Sequence, residues 1–327
     1  MFYRCGYVTM CTIIYKNVYL LLHFLNLYIL FIILSMQKIN ANPLYRLIVP
    51  KPLRTFLWKK YLKKKIIKEY YHSKNKEINE IISNIRKNGI KIISSTLSRD
   101  YSEDNIEVLF NETLKLKYVN YKKDKPIYFK KKWSKSRIQK ALNQLYIEQD
   151  INSPHRYLTN DFNVDKDTIV ADIGCAEANF SLDVVDKVKH IYLFETNNVW
   201  EEPLNATFRK YKDKITIVNK KFSNTDSKTS INGSQFLKDK GVNFLKIDVD
   251  GYEDEVMSNL EELISKSKKM KIALCTYHAN DDFSKYSTLL QKYNYNISHS
   301  NGFMIFYWDK KIDKPYLRRG VLRAEKN

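Results

Sequence analysis

The sequence predicts an α/β protein, a mostly parallel seven-stranded sheet ending in an antiparallel hairpin, preceded by a smaller α+β accessory region. Three observations carry that prediction. From Val164 onward, short apolar strands alternate with helical segments, the rhythm of strands joined by helical crossovers. The first strand runs into a turn of small residues, Gly174-Cys175-Ala176-Glu177-Ala178, that opens a helix. The last two expected strands are joined by Asn301-Gly302 with no room for a helix, so they must run antiparallel.

In order, strands are expected at Thr168–Ile173, Ile191–Glu195, Ile215–Asn219, Phe244–Val249, Lys271–Thr276, Tyr295–His299 and Met304–Trp308. Helices fill Asn179–Val188, Trp200–Tyr211, Glu253–Ser265 and Phe283–Tyr293. Upstream, Leu53–Tyr70 reads as a Lys-rich amphipathic helix after Pro43, Pro50 and Pro52. It suits either an anionic membrane surface or a cover for the core with lysines outward. Lys76–Lys87 places Ile78, Ile81, Ile82 and Ile85 on one face and is stopped by Asn88-Gly89, after which Ile90–Ile93 reads as a strand. Thr113–Lys130 alternates around a turn near Asp124, a hairpin, and Ser134–Tyr146 is a helix capped by Ser134 or Ser136. The expected organisation is a hydrophobic segment at 1–35, an accessory region at 42–160 and the main domain at 161–327.

The chain has 327 residues, of which 44% are hydrophobic, so a disordered or collagen-like chain is excluded. Lys+Arg total 56 against 36 Asp+Glu, a formal charge of +20 spread along the chain. Such a charge attracts polyanions, whether nucleic acid, anionic lipid or acidic glycan, and does not choose among them. Cys5, Cys11, Cys175 and Cys275 show no metal-ligand spacing and no disulfide framework, which fits a reducing compartment. No metal site is assigned.

Val18–Leu34 is nearly all apolar, broken only by His23 and Asn26, near the roughly 17 residues that just span a bilayer. It offers membrane association, and the lysines and arginines that follow would keep the main domain cytoplasmic. The alternative is that Met36 is the start and residues 1–35 are a mis-assigned beginning.

The chemistry concentrates on the expected sheet's C-terminal edge. The strand-turn-helix from Ile169 to Phe180 is a nucleotide-binding pattern in which a small-residue turn admits a ligand close to backbone N–H groups. Glu195 ends the next strand, where an acid can accept both ribose hydroxyls of a nucleoside. A dinucleotide fingerprint needs G-x-G-x-x-G, and only Gly174 is present here, which weakens a nicotinamide reading.

These residues resemble S-adenosylmethionine-dependent methyltransferases. Phe244-Leu245-Lys246-Ile247-Asp248-Val249-Asp250-Gly251-Tyr252-Glu253 is similar to the F-L-K-I-D-V-E-G-x-E signature of the FkbM methyltransferase family. The resemblance covers about residues 165 to 310. It implies a Rossmann-like class I methyltransferase fold, S-adenosylmethionine as cofactor, and O-methylation of a glycan or small-molecule hydroxyl. Where the family reads D-x-G-A-N-x-G and E-P-N-P, this chain has Ala178 for the closing glycine and Thr196 for the proline; Asp250 stands where Glu is usual. Ala178 adds one methyl group, tolerable if its φ is negative.

On this reading Gly174, Cys175, Ala176, Glu177 and Ala178 hold the methionyl end, Asp172 organises the network around them, and Glu195 with Thr196 meets the ribose. Asn219 and Lys220 lie near the adenine. Asp248, at the end of its strand, borders the cofactor; with Asp250 it could orient a hydroxyl, act as general base or hold a divalent cation, and of the catalytic groups Asp248, Asp250 and His278, Asp248 or His278 is the base expected to remove the proton. Glu253 either joins them or caps its helix. Trp133 and Ser153–Tyr157 are candidates for a lid, and the tail Pro315–Arg323 either binds an anionic acceptor or packs Tyr316 and Leu317 with its arginines in solvent. Two other readings stand beside this one: a nucleic-acid methyltransferase, suited by the charge, and a noncatalytic membrane-associated protein with a degenerate methyltransferase fold.

Overall fold

The computed structural model describes residues 49–94, 97, 101–122, 124–309 and 312–326. The apolar run 18–34, the rest of 1–35, Cys5, Cys11 and Pro43 lie outside the described residues. Among the described residues no helix is long and apolar enough to cross a membrane.

Helix α1 (Lys51–Glu69) buries Trp58, Leu62 and Ile66, one side chain per turn. Helix α2 (Lys76–Asn88) starts at Asn75, whose side chain accepts the Ile78 N–H, and stops at Gly89 with φ +77. The two pack with Ile305, Ile312, Tyr316 and Leu317 into a satellite core. The strand expected at Ile90–Ile93 is reduced to a single bridge between Ile93 and Met304, because Ile90 turns into that satellite core. Next come β1 (Leu109–Asn111), β2 (Leu116–Tyr121) and β3 (Lys125–Tyr128), an antiparallel sheet that contains the expected hairpin and adds β1. Helix α3 (Lys135–Glu148) begins at Ser134, whose hydroxyl accepts the Arg137 N–H.

The main sheet holds β4 (Ile169–Ile173), β5 (His190–Phe194), β6 (Ile215–Val218), β9 (Phe244–Ile247), β10 (Met270–Cys275), β11 (Asn296–His299) and β12 (Val321–Lys326). Its order is β11-β12-β10-β9-β4-β5-β6. Only β12 is antiparallel to its neighbours. Helices α4 (Asn179–Val184), α5 (Glu201–Thr207), α6 (Gly233–Leu237), α7 (Glu253–Lys266) and α8 (Asp282–Lys292) supply the crossovers, with a small parallel pair, β7 (Lys221–Ser223) and β8 (Ser230–Asn232), beside them. Helix α4 ends four residues before the expected Val188. The helix expected over Trp200–Tyr211 is divided into a 3-10 turn, α5 and a second 3-10 segment, with Tyr211 outside helical geometry. The chain leaves β4 toward β5 and β6 and crosses back to β9 on the other side, so a crevice opens where the β4 and β9 ends meet.

One expectation is corrected at the far edge. Met304–Trp308 is not a strand: Met304 makes single bridges to Ile93 and Arg318, and Ile305 packs into the satellite core. The seventh strand is the tail, Val321–Lys326, inserted between β10 and β11, so the Asn301-Gly302 hairpin does not form. Apolar content in 304–308 goes into packing instead of pairing, Ile305 and Tyr307 under α1 and α2 and Met304 and Phe306 against the main core.

The sheet buries both faces. Alternate β4 and β9 side chains, Val170 and Phe244, share one core with Phe180, Leu182 and Leu193 and with Tyr121, Ile127, Phe129, Ile138 and Leu142 from upstream. Ala171, Ile173, Leu245 and Ile247 face the opposite way, onto α7 and α8.

Candidate active site

Gly174 has φ +80, and a Cβ placed on it would lie 1.9 Å from the Asp248 carbonyl oxygen, so only glycine lets the β4 and β9 ends touch. The turn that follows uses its own amides. Gly174 and Cys175 N–H both donate to the Phe194 carbonyl, Ala178 N–H donates to Cys175, and Ala176 N–H donates to Glu195 Oε2 at 3.0 Å. The amide cradle expected for an anionic group is therefore largely spent internally, and α4 is only six residues long. Ala178 has φ +56, not the negative value the sequence reading required, and Ala176 is left-handed as well. Each alanine carries roughly 1–2 kcal/mol of backbone strain there.

Glu195 accepts the Asn197 N–H at 2.7 Å through Oε1 and the Ala176 N–H through Oε2. Each oxygen keeps a second lone pair. It lines a cavity of about 500 Å³ together with Gly174, Ala176, Thr196, Lys220, Asp248 and Asp250, a volume in the range of small-molecule sites. Six of the sequence-picked residues do not line it. Asp172 is buried beneath the turn, 3.0 Å from Lys246 Nζ and accepting the Ser181 hydroxyl at 2.6 Å. Cys175 and Ala178 are buried in the core. Glu177 is pushed up to about 7 by burial, which Lys130 only partly offsets. Asn219 Oδ1 is buried without a hydrogen-bond partner among the described residues, and His278 lies behind the cavity wall.

At the carboxylate edge, Asp248 accepts the Tyr157 hydroxyl at 2.8 Å, with His155 Nε2 3.5 Å from the same oxygen and the Tyr277 hydroxyl 3.5 Å from the other. Burial pushes the Asp248 carboxyl up, but His155, Lys246 and His278 outweigh it and hold the group far below the usual range. Asp250 is different: at φ +53 its side chain is 96% exposed, and it faces His278 Nε2 at 3.8 Å. His278 Nδ1 in turn lies 3.0 Å from Glu253 Oε1, which also accepts the Val249 N–H, and both side chains are 2% exposed. Burial lowers the His278 pKa, and Glu253 more than reverses it.

Sequence reasoning missed three members of this arrangement. Lys246 sits buried between Asp172 and the Gly174 carbonyl, to which it donates at 2.7 Å, joining β9 to the turn. His155 and Tyr157 belong to the segment expected to act as a lid, yet Ser153, His155 and Tyr157 are all buried, and His155 and Tyr157 hold Asp248 from behind. Arg318 and Arg323 of the tail are not in solvent either: both are buried and donate to main-chain carbonyls, while Tyr316 and Leu317 pack into the satellite core. Among the described residues two side-chain groups approach metal-ligand spacing, His155 with Asp248 and Cys275, and Asp248 with Glu253 and His278, their ligand atoms within 4.8 Å of one another. Both rely on Asp248, whose oxygens are already engaged.

The cavity fits an adenosyl group on two grounds: free lone pairs on a fixed Glu195 carboxylate for ribose hydroxyls, and apolar walls from Ile173, Phe222 and Val256 for a base. Among solved structures, the chain is similar to a methyltransferase FkbM from Methylobacillus flagellatus KT (17% identity, 50% of this chain and 44% of that chain, TM-score 0.39). It is also similar to M. capricolum TrmK in complex with S-adenosyl-homocysteine (18%, 53% and 70%, 0.33) and to a dimethyladenosine transferase from Plasmodium falciparum (10%, 50% and 57%, 0.36). The match spans less than half the length of the first of these. No curated protein matches the sequence. The family model of the methyltransferase FkbM domain matches residues 127–297, just over half of the chain. The chain belongs to the FkbM methyltransferase family, whose methyl donor is S-adenosylmethionine.

Proposed function

We propose that the protein methylates a hydroxyl oxygen on a glycan or small metabolite, with residues 161–327 as the donor-binding domain and 42–160 as its accessory region. The observation that carries this reading is a single cavity that holds both a fixed acid for the ribose, Glu195, and a solvent-facing carboxylate, Asp250, beside a buried His278–Glu253 pair.

Bound S-adenosylmethionine supplies an electrophilic methyl group on a sulfonium. Transfer of that methyl to an acceptor oxygen would require the hydroxyl proton to leave, and we assign Asp250 as the base that takes it. His278, whose pKa Glu253 raises, sits behind Asp250 and steadies the carboxylate. Asp248 stays ionised and is a weak base; its place is to put negative charge at the cavity edge and to orient the acceptor. Gly174, by lacking a side chain, and Lys246, through its Nζ, hold the two strand ends together.

Calorimetry on wild type and Glu195→Ala tests the cofactor half. The wild type should bind S-adenosylmethionine and S-adenosylhomocysteine but not NAD. The variant should bind at least about tenfold more weakly, since charge-assisted hydrogen bonds of roughly 1.5–3 kcal/mol each are lost. Failure of the folded wild type to bind either adenosyl ligand overturns the reading. The net charge of +20 also suits a nucleic-acid acceptor, which would show as binding that falls steeply and linearly in log–log with salt. Cofactor binding without turnover on any acceptor would instead mark a degenerate scaffold, the outcome that strained Ala178 makes worth testing.

A further inference from the structure

Helix α1 carries eight Lys and Arg residues between Lys51 and Lys68 and no acidic residue until Glu69. Coding bias does not explain such a run, because the chain as a whole has 36 acids against 56 bases. The helix faces two ways. Trp58, Leu62 and Ile66 bury one side on Ile305, Ile312, Tyr316 and Leu317, and the Trp58 indole donates to the Tyr307 carbonyl at 2.7 Å, which fixes the helix rotation. The opposite side shows Leu53, Phe56, Lys60 and Lys64, spaced three, four and four residues apart and so on one stripe. Leu53 is 49% and Phe56 61% exposed, among the largest exposed apolar side chains described, and Lys60 and Lys64 stand in solvent beside them.

We infer that this outer stripe of α1 docks on an anionic lipid surface, with Phe56 and Leu53 entering the interface and Lys60 and Lys64 among the headgroups. Two observations select lipid over other polyanions. An exposed phenylalanine and leucine between lysines are wasted on a phosphate backbone but gain from an interface. The apolar run 18–34 precedes α1 in the same chain, and basic residues directly after such a run face the anionic cytoplasmic leaflet. The core-facing side of α1 is already occupied, so docking needs no rearrangement of the fold. This inference is independent of the proposed reaction, since none of these residues lines the cofactor cavity.

The test uses the full chain with vesicles of pure phosphatidylcholine and vesicles containing phosphatidylserine, at about 0.1 M salt. The measured quantity is the ratio of partition coefficients, anionic over neutral; attachment through 18–34 enters both alike and cancels. Neutralising two lysines in Lys60→Gln/Lys64→Gln should lower that ratio on the order of 30-fold, about fivefold for each lysine removed from the headgroup layer. Phe56→Ser should weaken binding to both vesicle types and leave the ratio alone. Both variants sit on the solvent side, and far-UV circular dichroism checks that each still folds. A wild-type ratio near one, or a ratio the lysine variant does not change, overturns the inference. Loss of single-stranded RNA binding in the lysine variant, with a lipid ratio near one, overturns it in favour of nucleic acid.

Discussion

Gly174 and Gly251 both adopt positive φ, +80 and +97, but only the first is closed in. Gly251→Ala meets nothing within 4 Å and should cost about 1–2 kcal/mol of backbone strain. Gly174→Ala drives a methyl into the Asp248 carbonyl and should cost more than about 4 kcal/mol, with urea unfolding of the pair as the measurement. Glu177 makes a separate prediction. Its carboxyl titrates near 7 in the folded chain against 4.5 as its ordinary value, so the native state holds the extra proton and stability falls as pH rises between those values. Glu177→Gln should leave stability at pH 5 nearly unchanged and raise it at pH 8 by about 1–3 kcal/mol; equal effects at both pH values would show that burial does not perturb the group. At this scale the site was partly legible. Gly174, Glu195 and Asp248 stand out because motif spacing is local. His155 and Tyr157 did not, because Tyr157 reaches Asp248 from 91 positions away and no local pattern encodes that pairing. The sign of φ at Ala178 was also out of reach, being set by how the turn closes on Phe194.

Among the elements, the six strands from β4 to β11 that build the main sheet were legible from short apolar runs, with ends shifted by a residue or two. Strand β12 was not. Its sequence, Val-Leu-Arg-Ala-Glu-Lys, is half charged, whereas the apolar Met304–Trp308 looked the better strand. Position within the sheet resolved the matter: β12 is paired on both sides, between β11 and β10, and Arg323 can be buried in it because its guanidinium donates to the Tyr157, His299 and Arg156 carbonyls at 2.8, 3.1 and 2.6 Å. Burial holds its pKa down to about 10. Arg323→Met keeps the length and strips three carbonyls of their donor, each orphan costing about 1–3 kcal/mol, so a loss of at least about 3 kcal/mol in chemical unfolding is expected. A loss below about 1 kcal/mol would mean that water replaces the guanidinium and that the strand is held by its ladder alone.

Across the molecule, the upstream region and the main sheet are tied by more than a linker. Tyr121, Ile127 and Phe129 share one apolar core with Val170, Leu182 and Leu193. Polar ties cross the same seam: the Tyr121 hydroxyl donates to Asp183 at 3.1 Å, Lys125 pairs with Asp186 at 2.6 Å, and the Tyr128 N–H donates to the Thr207 hydroxyl at 3.0 Å. Removing residues 49–148 would expose one face of a sheet that is apolar on both, a surface larger than the few hundred Å² a soluble monomer tolerates. The described chain should therefore unfold as one cooperative unit. Trp133 and Trp200, 5.5 Å apart across the seam, report its opening by fluorescence, and far-UV circular dichroism reports the sheet and helices. The two thermal transitions should coincide. A fluorescence change that precedes the loss of secondary structure would show that the seam opens first, and would make the upstream region a separable unit whose hold on Asp248, through His155 and Tyr157, comes and goes with it.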